Sequence, residues 1–437
     1  MNAVFHVAAK YLVHVTCASP LRSGTYKGDL QEILRRWDGM PIIQGASLAG
    51  ALRGWQDDEK LFGSINGEGE LTFSDMVFSE LKTDIRPRLR INGHYGTVAS
   101  DGKDKADKGQ KFDIVALPSG TQGICTILWK GCIPQERRND EAKQQYIKEN
   151  TEKLEAYLAA MNAGQIRLGA QRSNGYGIVS IDVKRRVFDL QNEEDREAWL
   201  DDAQPCESIR LPDVAAGRMV RFVVTAQTDS LLVKAPVGEG VGSKGTDAKN
   251  LRDNNHLIIP GSSIRGAIRA KAEDILKQLG LSDTVMPEHL FGCTDKDDQG
   301  GAAGIVLFRD AQVEKEAKKI SRNRINRFTS GVMRSGLFSE TPVCGEVNME
   351  VLVPAHEEKA CALILFALRD LGLGMYNLGS GNNIGRGRLK DMVITVSLGN
   401  KQATLKCEDS RAVLEDPGKL TANWISALKH QEVQHED

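Results

Sequence analysis

Long apolar runs are missing from this chain. No window of its 437 residues approaches the roughly 18 consecutive apolar residues that span a bilayer, which argues against a membrane-spanning helix. The opening stretch MNAVFHVAAKYLVHV lacks the basic flank and small-residue cleavage site of a signal peptide. It reads as a strand, and the cytoplasm is the expected location. The eight cysteines (17, 125, 132, 206, 293, 344, 361, 407) contain no CxxC pair, which argues against a zinc site or a disulfide framework and fits buried, unreactive thiols in a reducing compartment. Aromatics are only 5% of the residues, too few for extended base-stacking platforms. The eight histidines do not pair between the two halves of the chain; His94 and His256 lie near notable segments, but no HxxxH or His–acid pair supports a histidine-based nuclease. A net charge of −2 gives no overall attraction to a polyanion.

Apolar residues are 41% and charged residues 27%, the balance of a soluble globular protein, and the length allows two or three domains. The charge is unevenly spread. Acidic runs lie at 192–202 (NEEDREAWLDD) and at the C-terminal QHED, and basic side chains cluster at 86–90 (RPRLR), 318–327 (KKISRNRINR) and 386–390 (RGRLK). A local basic stripe can hold a phosphate backbone on a near-neutral chain, although any one such run also reads as a solvated face.

The firmest feature is an internal repeat. PIIQGASLAGALRG (41–54) matches LIIPGSSIRGAIRA (257–270), KLFG (60–63) matches HLFG (289–292), and RPRLRING (86–93) resembles SRNRINRF (321–328). IRLGAQRSNGYGIVSI (166–181) matches YNLGSGNNIGRGRLKD (376–391), aligning Gly169, Gly175 and Gly177 with Gly379, Gly385 and Gly387. The spacing is 216 residues from Gly45 to Gly261, 229 from Phe62 to Phe291, and 210 from Gly169 to Gly379. The differences fall between motifs, where loops belong. The predicted organisation is a first domain over 1–190, an acidic linker over 191–216, a second domain over 217–407, and a polar C-terminal tail over 408–437 with one short helix around Ala422–Leu428.

Each copy opens on a β-branched run, YLVHVTC (11–17) or RMVRFVVTA (218–226). A helix with apolar residues at Leu48 and Leu52, or Ile264 and Ile268, follows, with Ser47 and Ser262 or Ser263 placed to cap it. The strands ELTFSDMVF, IVLFRDAQV, ICTILWKG and VNMEVLV come next, then the helices KLEAYLAAMNAG (153–164) and ACALILFALRDLGLG (360–374), the latter apolar enough to be buried. A closing strand completes strand–helix–strand–strand–helix–strand. That order is α+β, two tandem ferredoxin-like (RRM-type) units, with the surplus residues in insertions at 64–125 and 293–345.

Several segments point to RNA. In the Gly-rich turn, positive φ lets successive N–H groups cradle a phosphate beside Arg167, Arg172, Arg386 and Arg388, with Asn382 nearby; as a lone motif this is more often a tight connection, but its recurrence in both copies beside Arg and Asn favours RNA binding. The helix starts, with Arg53, Arg265 and Arg269, either present an N-terminus to a phosphate or are simply capped. Arg86, Arg88 and Arg90, and Arg322 and Arg324 with Arg327 beyond, set guanidinium groups along a strand for phosphates, or along a solvated hairpin. In the polar loop before each helix, Asp29 and Asp247 are candidate acids. A carboxylate there can bind a divalent ion or take the 2′-hydroxyl proton, and an Asp in a Gly/Lys loop is also an ordinary turn residue.

The pattern G-[AS]-S-[LI]-x-G-x-[LI]-R, then LFG, then a late LGxxxxxGxG resembles the RAMP superfamily of CRISPR-associated proteins, above all the backbone subunits of type III effector complexes. GTDAKNLRDNNHLIIPGSSIRGAIR (245–269) and LGSGNNIGRGRL (378–389) carry the likeness most strongly, and the tandem arrangement is similar to the fused type III-D family. The resemblance implies a subunit that lines up along a CRISPR RNA and holds its backbone with the Gly-rich loop and first helix. It implies a hairpin, within 86–118 and 321–345, that displaces a base pair between guide and target. It also implies metal-dependent cleavage of single-stranded target RNA, with Mg²⁺ or another divalent ion, at an Asp that falls on Asp247 and, by spacing, on Asp29. Implied partners are CRISPR RNA, target RNA, neighbouring backbone subunits and the large polymerase-like subunit. The implied RNA contacts are Ser47, Arg53, Arg88, Arg90, Arg167, Arg172, Gly175, Gly177, Ser262, Ser263, Arg265, Arg269, Arg324, Arg327, Gly379, Asn382, Gly385, Arg386 and Gly387.

Copy one departs from the pattern. Gln44 stands where proline is usual, AQR replaces the usual small residues of the loop, and LQEIL follows Asp29 without the Arg252–Asp253 pair of copy two; Glu32 and Asp38 are alternative acids there. Three functions follow: a target-RNA endoribonuclease, a non-catalytic guide-RNA scaffold, and a guide-processing ribonuclease, the last without a His or Lys signature.

Overall fold

The structure is a computed structural model describing residues 5–24, 32–89, 111–137, 139–214, 218–235, 247–281, 285–293 and 301–429. The chain divides into two compact units. The first comprises Met1–Asp84, Ile114–Arg172 and Tyr176–Ala215, and the second Ile85–Asp113, Ser173–Gly175 and Ala216–Asp437. Both are mixed α+β.

In the first unit, Val7–Cys17 alternates strictly from Tyr11 onward, burying Tyr11, Val13, Val15 and Cys17 and turning His14 and Thr16 to solvent. That period of two makes it a strand with one face on a core. It lies at the centre of an antiparallel sheet, with Val179–Asp189 on one side and Gln122–Gly131 on the other. Beyond these, Glu207–Ser208 closes one edge, and Met76–Phe78 and Ile42–Ile43 the other. Helix α1 (Gly45–Arg53) puts Leu48 and Leu52 on the core and stops at Gly54, and α2 (Glu59–Phe62) follows at once. Helix α3 (Asp140–Asn162) begins more than three turns before the predicted 153–164. Its early residues are polar, but Asn139 accepts the Ala142 N–H, Asp140 and Glu141 favour the positive helix end, and Tyr146 and Ile147 are buried. The acidic 191–216 segment holds α4 (Glu193–Leu200), whose Trp199 packs edge-to-face on Phe188 with ring centroids 5.3 Å apart.

In the second unit, Met219–Leu231 pairs with Val343–Pro354 and Lys390–Leu398, so that Phe222 faces Val351 and Val396. The sheet runs on through Ala311–Glu316, His256–Ile259 and Arg252–Asp253 at one edge, and Lys401–Glu408 and Arg411–Glu415 at the other. Helix α5 (Gly261–Leu279) is twice as long as α1 because its first helix-ending glycine is Gly280, in the left-handed conformation. Helix α6 is Pro287–Phe291. Helix α7 (Glu358–Gly372) is buried as its composition predicts, and α8 (Ala422–Lys429) puts Trp424 and Leu428 into the same core. Much of the predicted polar tail is therefore folded. A separate hairpin, Ile320–Ile325 with Val332–Thr341, stands within the predicted second insertion. In the first insertion Asp84–Leu89 and Lys111–Ala116 form a two-stranded sheet.

Candidate RNA-binding site

The Gly-rich turn is closed by the same bonds in each unit. In the first, Leu168 N–H donates to the Gly177 carbonyl (2.9 Å), Gly177 N–H to Pro20 (2.8 Å) and Ala170 N–H to Arg22 (2.8 Å). In the second, Leu378 N–H donates to Gly387 (2.9 Å), Gly387 N–H to Ser230 (2.7 Å) and Ser380 N–H to Leu232 (2.7 Å). Glycine is required for both shape and space. Gly177 and Gly387 have φ of +79° and +78°, and a Cβ would stand 2.0 and 1.8 Å from the Leu168 and Leu378 oxygens. These amides thus face inward to hold the turn, contrary to the outward cradle expected from the sequence.

Two arginines predicted to face phosphate are buried. Arg167 donates to the carbonyls of Arg172 (2.7 Å) and Gly164, tying the loop to itself. Arg386 places Nη1 2.8 Å from Glu340, which Arg322 also binds. Burial by itself would raise the Glu340 carboxyl, but these guanidinium groups outweigh it and hold the pKa below the ordinary value. Arg172, Asn382 and Gly385 remain exposed at the loop tips.

The helix starts are built differently from the sequence expectation. Gln44 and Pro260 occupy the N-cap positions without a side-chain cap bond, so Ser47, Ser262 and Ser263 fall inside the first turn. The first amide is taken instead by an acid arriving from a strand: Asp75 Oδ1 accepts Gly45 N–H (2.9 Å), and Asp310 Oδ1 accepts Gly261 N–H (2.8 Å). Both acids escaped the sequence reading, although each follows a strand phenylalanine by two positions (Phe73-Ser-Asp, Phe308-Arg-Asp). Gly45 is obligatory because a Cβ would lie 2.4 Å from the Phe73 carbonyl oxygen.

In the first unit the turn and the helix start meet around a concavity of about 190 Å³ lined by Ser23, Gly24, Leu34, Ile43, Gln44, Ser47 and Gly169. Arg53 lies outside it, paired with Asp57 at 2.8 Å. Arg22, which the sequence reading passed over, is buried behind the turn and donates to the Glu32 and Val115 carbonyls. Glu32 is exposed, and Asp38 accepts from Arg36. Asp29 and Arg90 lie outside the described residues.

In the second unit three arginines share one region. Burial above all, with the positive charges of Arg269 and Arg88 adding to it, pulls the Arg265 pKa down to about 10. Arg265 donates to Asn174 Oδ1 (2.8 Å) and the Phe291 carbonyl, and Arg269 to the Gly292 carbonyl (2.8 Å) and Glu273 (2.7 Å). Arg324 and Arg327 are exposed on the hairpin. Asp247 sits at the base of that hairpin. Ala248–Lys249 runs parallel to Glu340–Thr341, Asp247 N–H donates to the Ser339 carbonyl (2.7 Å), and Asp247 Oδ2 accepts Ser339 N–H (2.6 Å). Oδ1 has no hydrogen bond among the described residues, and the side chain is exposed. Arg252 pairs with Glu316 (2.8 Å), while Asp253 is buried against Arg86 (3.0 Å).

Among the described residues no three His, Cys, Asp or Glu side chains are grouped to hold a metal ion. No described helix is long and apolar enough to cross a membrane. A sequence profile of the RAMP superfamily matches residues 14–180 and 237–390. A comparison with the curated proteins finds none that matches. With both halves of the chain matched, and the closing glycine turn built alike in each, the chain belongs to the RAMP superfamily of CRISPR-associated, RNA-binding proteins, as two RAMP regions in tandem.

Proposed function

We propose that this chain is a guide-RNA-binding backbone subunit of a type III effector complex, most like the fused type III-D family, and that it cleaves guide-complementary target RNA. The observation that carries the reading is Asp247, exposed and held at the base of the Ile320–Thr341 hairpin through Ser339. A hairpin that displaces a base pair would leave the scissile phosphodiester beside that carboxylate. In each main sheet the opening strand lies between the strand that precedes the second long helix and the strand that follows the Gly-rich turn, which supports a ferredoxin-like core in each unit.

Asp247 offers a single carboxylate, enough for a hard cation that takes its other ligands from RNA phosphate and water. A bound Mg²⁺ would neutralise charge on the phosphate. The chain's own part is to hold the carboxylate through the Ser339 N–H with Oδ1 turned to the RNA. There it accepts the 2′-hydroxyl proton as that oxygen attacks phosphorus to form a 2′,3′-cyclic phosphate, and the departing 5′-oxygen takes a proton from water. Asp29 is the corresponding acid of the first region.

The Ser339–Asp247 bond also favours a second reading, a guide scaffold in which Asp247 only secures the hairpin. Cleavage mapping of guide-matched RNA by the assembled complex with Mg²⁺ separates the two. Loss of one distinct cut in Asp247→Ala, and of another in Asp29→Ala, with assembly intact, supports catalysis. Cuts that persist in both variants leave the chain a scaffold.

A further inference from the structure

We propose that Trp37 is a stacking platform for an unpaired nucleobase of bound single-stranded RNA, an inference that rests on the RNA-binding reading and adds a contact to it. Trp37 is 92% exposed. The other four tryptophans are spoken for: Trp55 against Tyr157, Trp129 buried and donating to Glu70, Trp199 on Phe188, and Trp424 in the second core. Single exposed apolar residues are common on soluble proteins. Three things set Trp37 apart.

The first is rigidity. Trp37 sits at the tip of a tight turn in which Arg36 N–H donates to Met40 (2.8 Å), Gly39 N–H to Arg36 (2.9 Å) and Arg35 Nη1 to Gly39 (2.9 Å). Asp38 binds both Arg36 Nε (3.0 Å) and Met40 N–H (3.1 Å), so the indole is presented with little backbone freedom left to lose. The second is charge. Arg35 and Arg36 immediately precede Trp37; Arg36 is paired with Asp38, but Arg35 has no acidic partner among the described residues, which suits a base that arrives with its phosphate. The third is position. Leu34 lines the concavity between the glycine turn and the α1 start, and Trp37 follows it by three residues, so the two Cα atoms are at most ~10 Å apart even for a fully extended chain. That is within reach of a nucleotide whose backbone rests there. In the second unit the matching turn carries Asn254 and Asn255 at its tip, so the platform belongs to the first region alone.

The test is acrylamide quenching of tryptophan emission from the full chain, free, with guide RNA, and with guide plus complementary target, alongside Trp37→Phe and Trp37→Ala. The free chain should show one readily quenched tryptophan, absent in Trp37→Phe. RNA should shield it, and shielding by guide alone or only after target addition tells which strand supplies the base. Trp37→Ala should weaken RNA binding roughly 5- to 150-fold, the range of one lost base stack, while Trp37→Phe largely restores it. RNA that binds with Trp37 still open to quencher, or equal affinity in all three proteins, overturns the stacking but leaves the RNA-binding reading standing. Shielding by protein subunits without RNA assigns Trp37 to a protein contact and also overturns the stacking. Failure of RNA to bind at all overturns both.

Discussion

The guanidinium of Arg86 lies 3.0 Å from the carboxylate of Asp310 and 3.0 Å from that of Asp253, with all three side chains almost wholly removed from solvent in the second unit. Asp310 at the same time holds the first amide of α5. Removing the cation would strand two carboxylates, so Arg86→Met should cost about 3–5 kcal/mol in denaturant unfolding.

The pH dependence of that loss has a sign. Burial raises the Asp310 pKa, although Arg86 and the Gly261 amide oppose it. A carboxyl whose folded pKa is raised contributes stability below its unfolded value and loses it as pH rises through the folded value. The Arg86→Met deficit should therefore shrink towards pH ~4 and be largest above neutrality. A deficit independent of pH would show that Arg86 acts through packing alone.

Glu340 behaves in the opposite sense. Held below its ordinary pKa by Arg322 and Arg386, it contributes stability above the unfolded value of about 4.3, lost only as pH falls through the lower folded value. Glu340→Gln should speed amide exchange in Val332–Thr341 at neutral pH, with the difference from the parent chain closing at acid pH. Unchanged exchange would mean that the hairpin is secured elsewhere.

The glycine turn offers a graded series. Gly177→Ala and Gly387→Ala combine positive φ with a Cβ inside a carbonyl's contact distance, whereas Gly385, at φ +83°, has nothing within 4 Å of a Cβ. Gly385→Ala should cost only the left-handed penalty of about 1–2 kcal/mol. The other two should cost clearly more, read as shifts of the urea midpoint.

What the sequence made legible was what glycine dictates locally. Gly45 with Gly261, and Gly177 with Gly387, marked both the repeat and its two closures because no other residue fits those backbone approaches. Bonds made at long range were hidden. Asp75 and Asp310 reach their helices across 30 and 49 residues, and only a repeated Phe-x-Asp marked them. Arg167 and Arg386 looked like phosphate ligands because charge is visible in sequence while burial is not. The serines looked like caps because Gln44 and Pro260 do not cap with side chains, and the strand acids that took their place lay elsewhere in the chain. The start of α3 was missed because its first turns are mostly polar, with Tyr146 and Ile147 the only apolar anchors before Leu154.

The hairpin at the edge of the second unit leaves Phe328 97% exposed at its tip, with Ile325, Val332 and Leu337 open along its strands. A solitary chain that carries such a blade pays in solubility. Two hairpins can bury these side chains on each other, so protein produced without its RNA and neighbours should self-associate as concentration rises. Purification is then best conducted on the co-expressed ribonucleoprotein, and a polar residue in place of Phe328 is the simplest route to a well-behaved free chain.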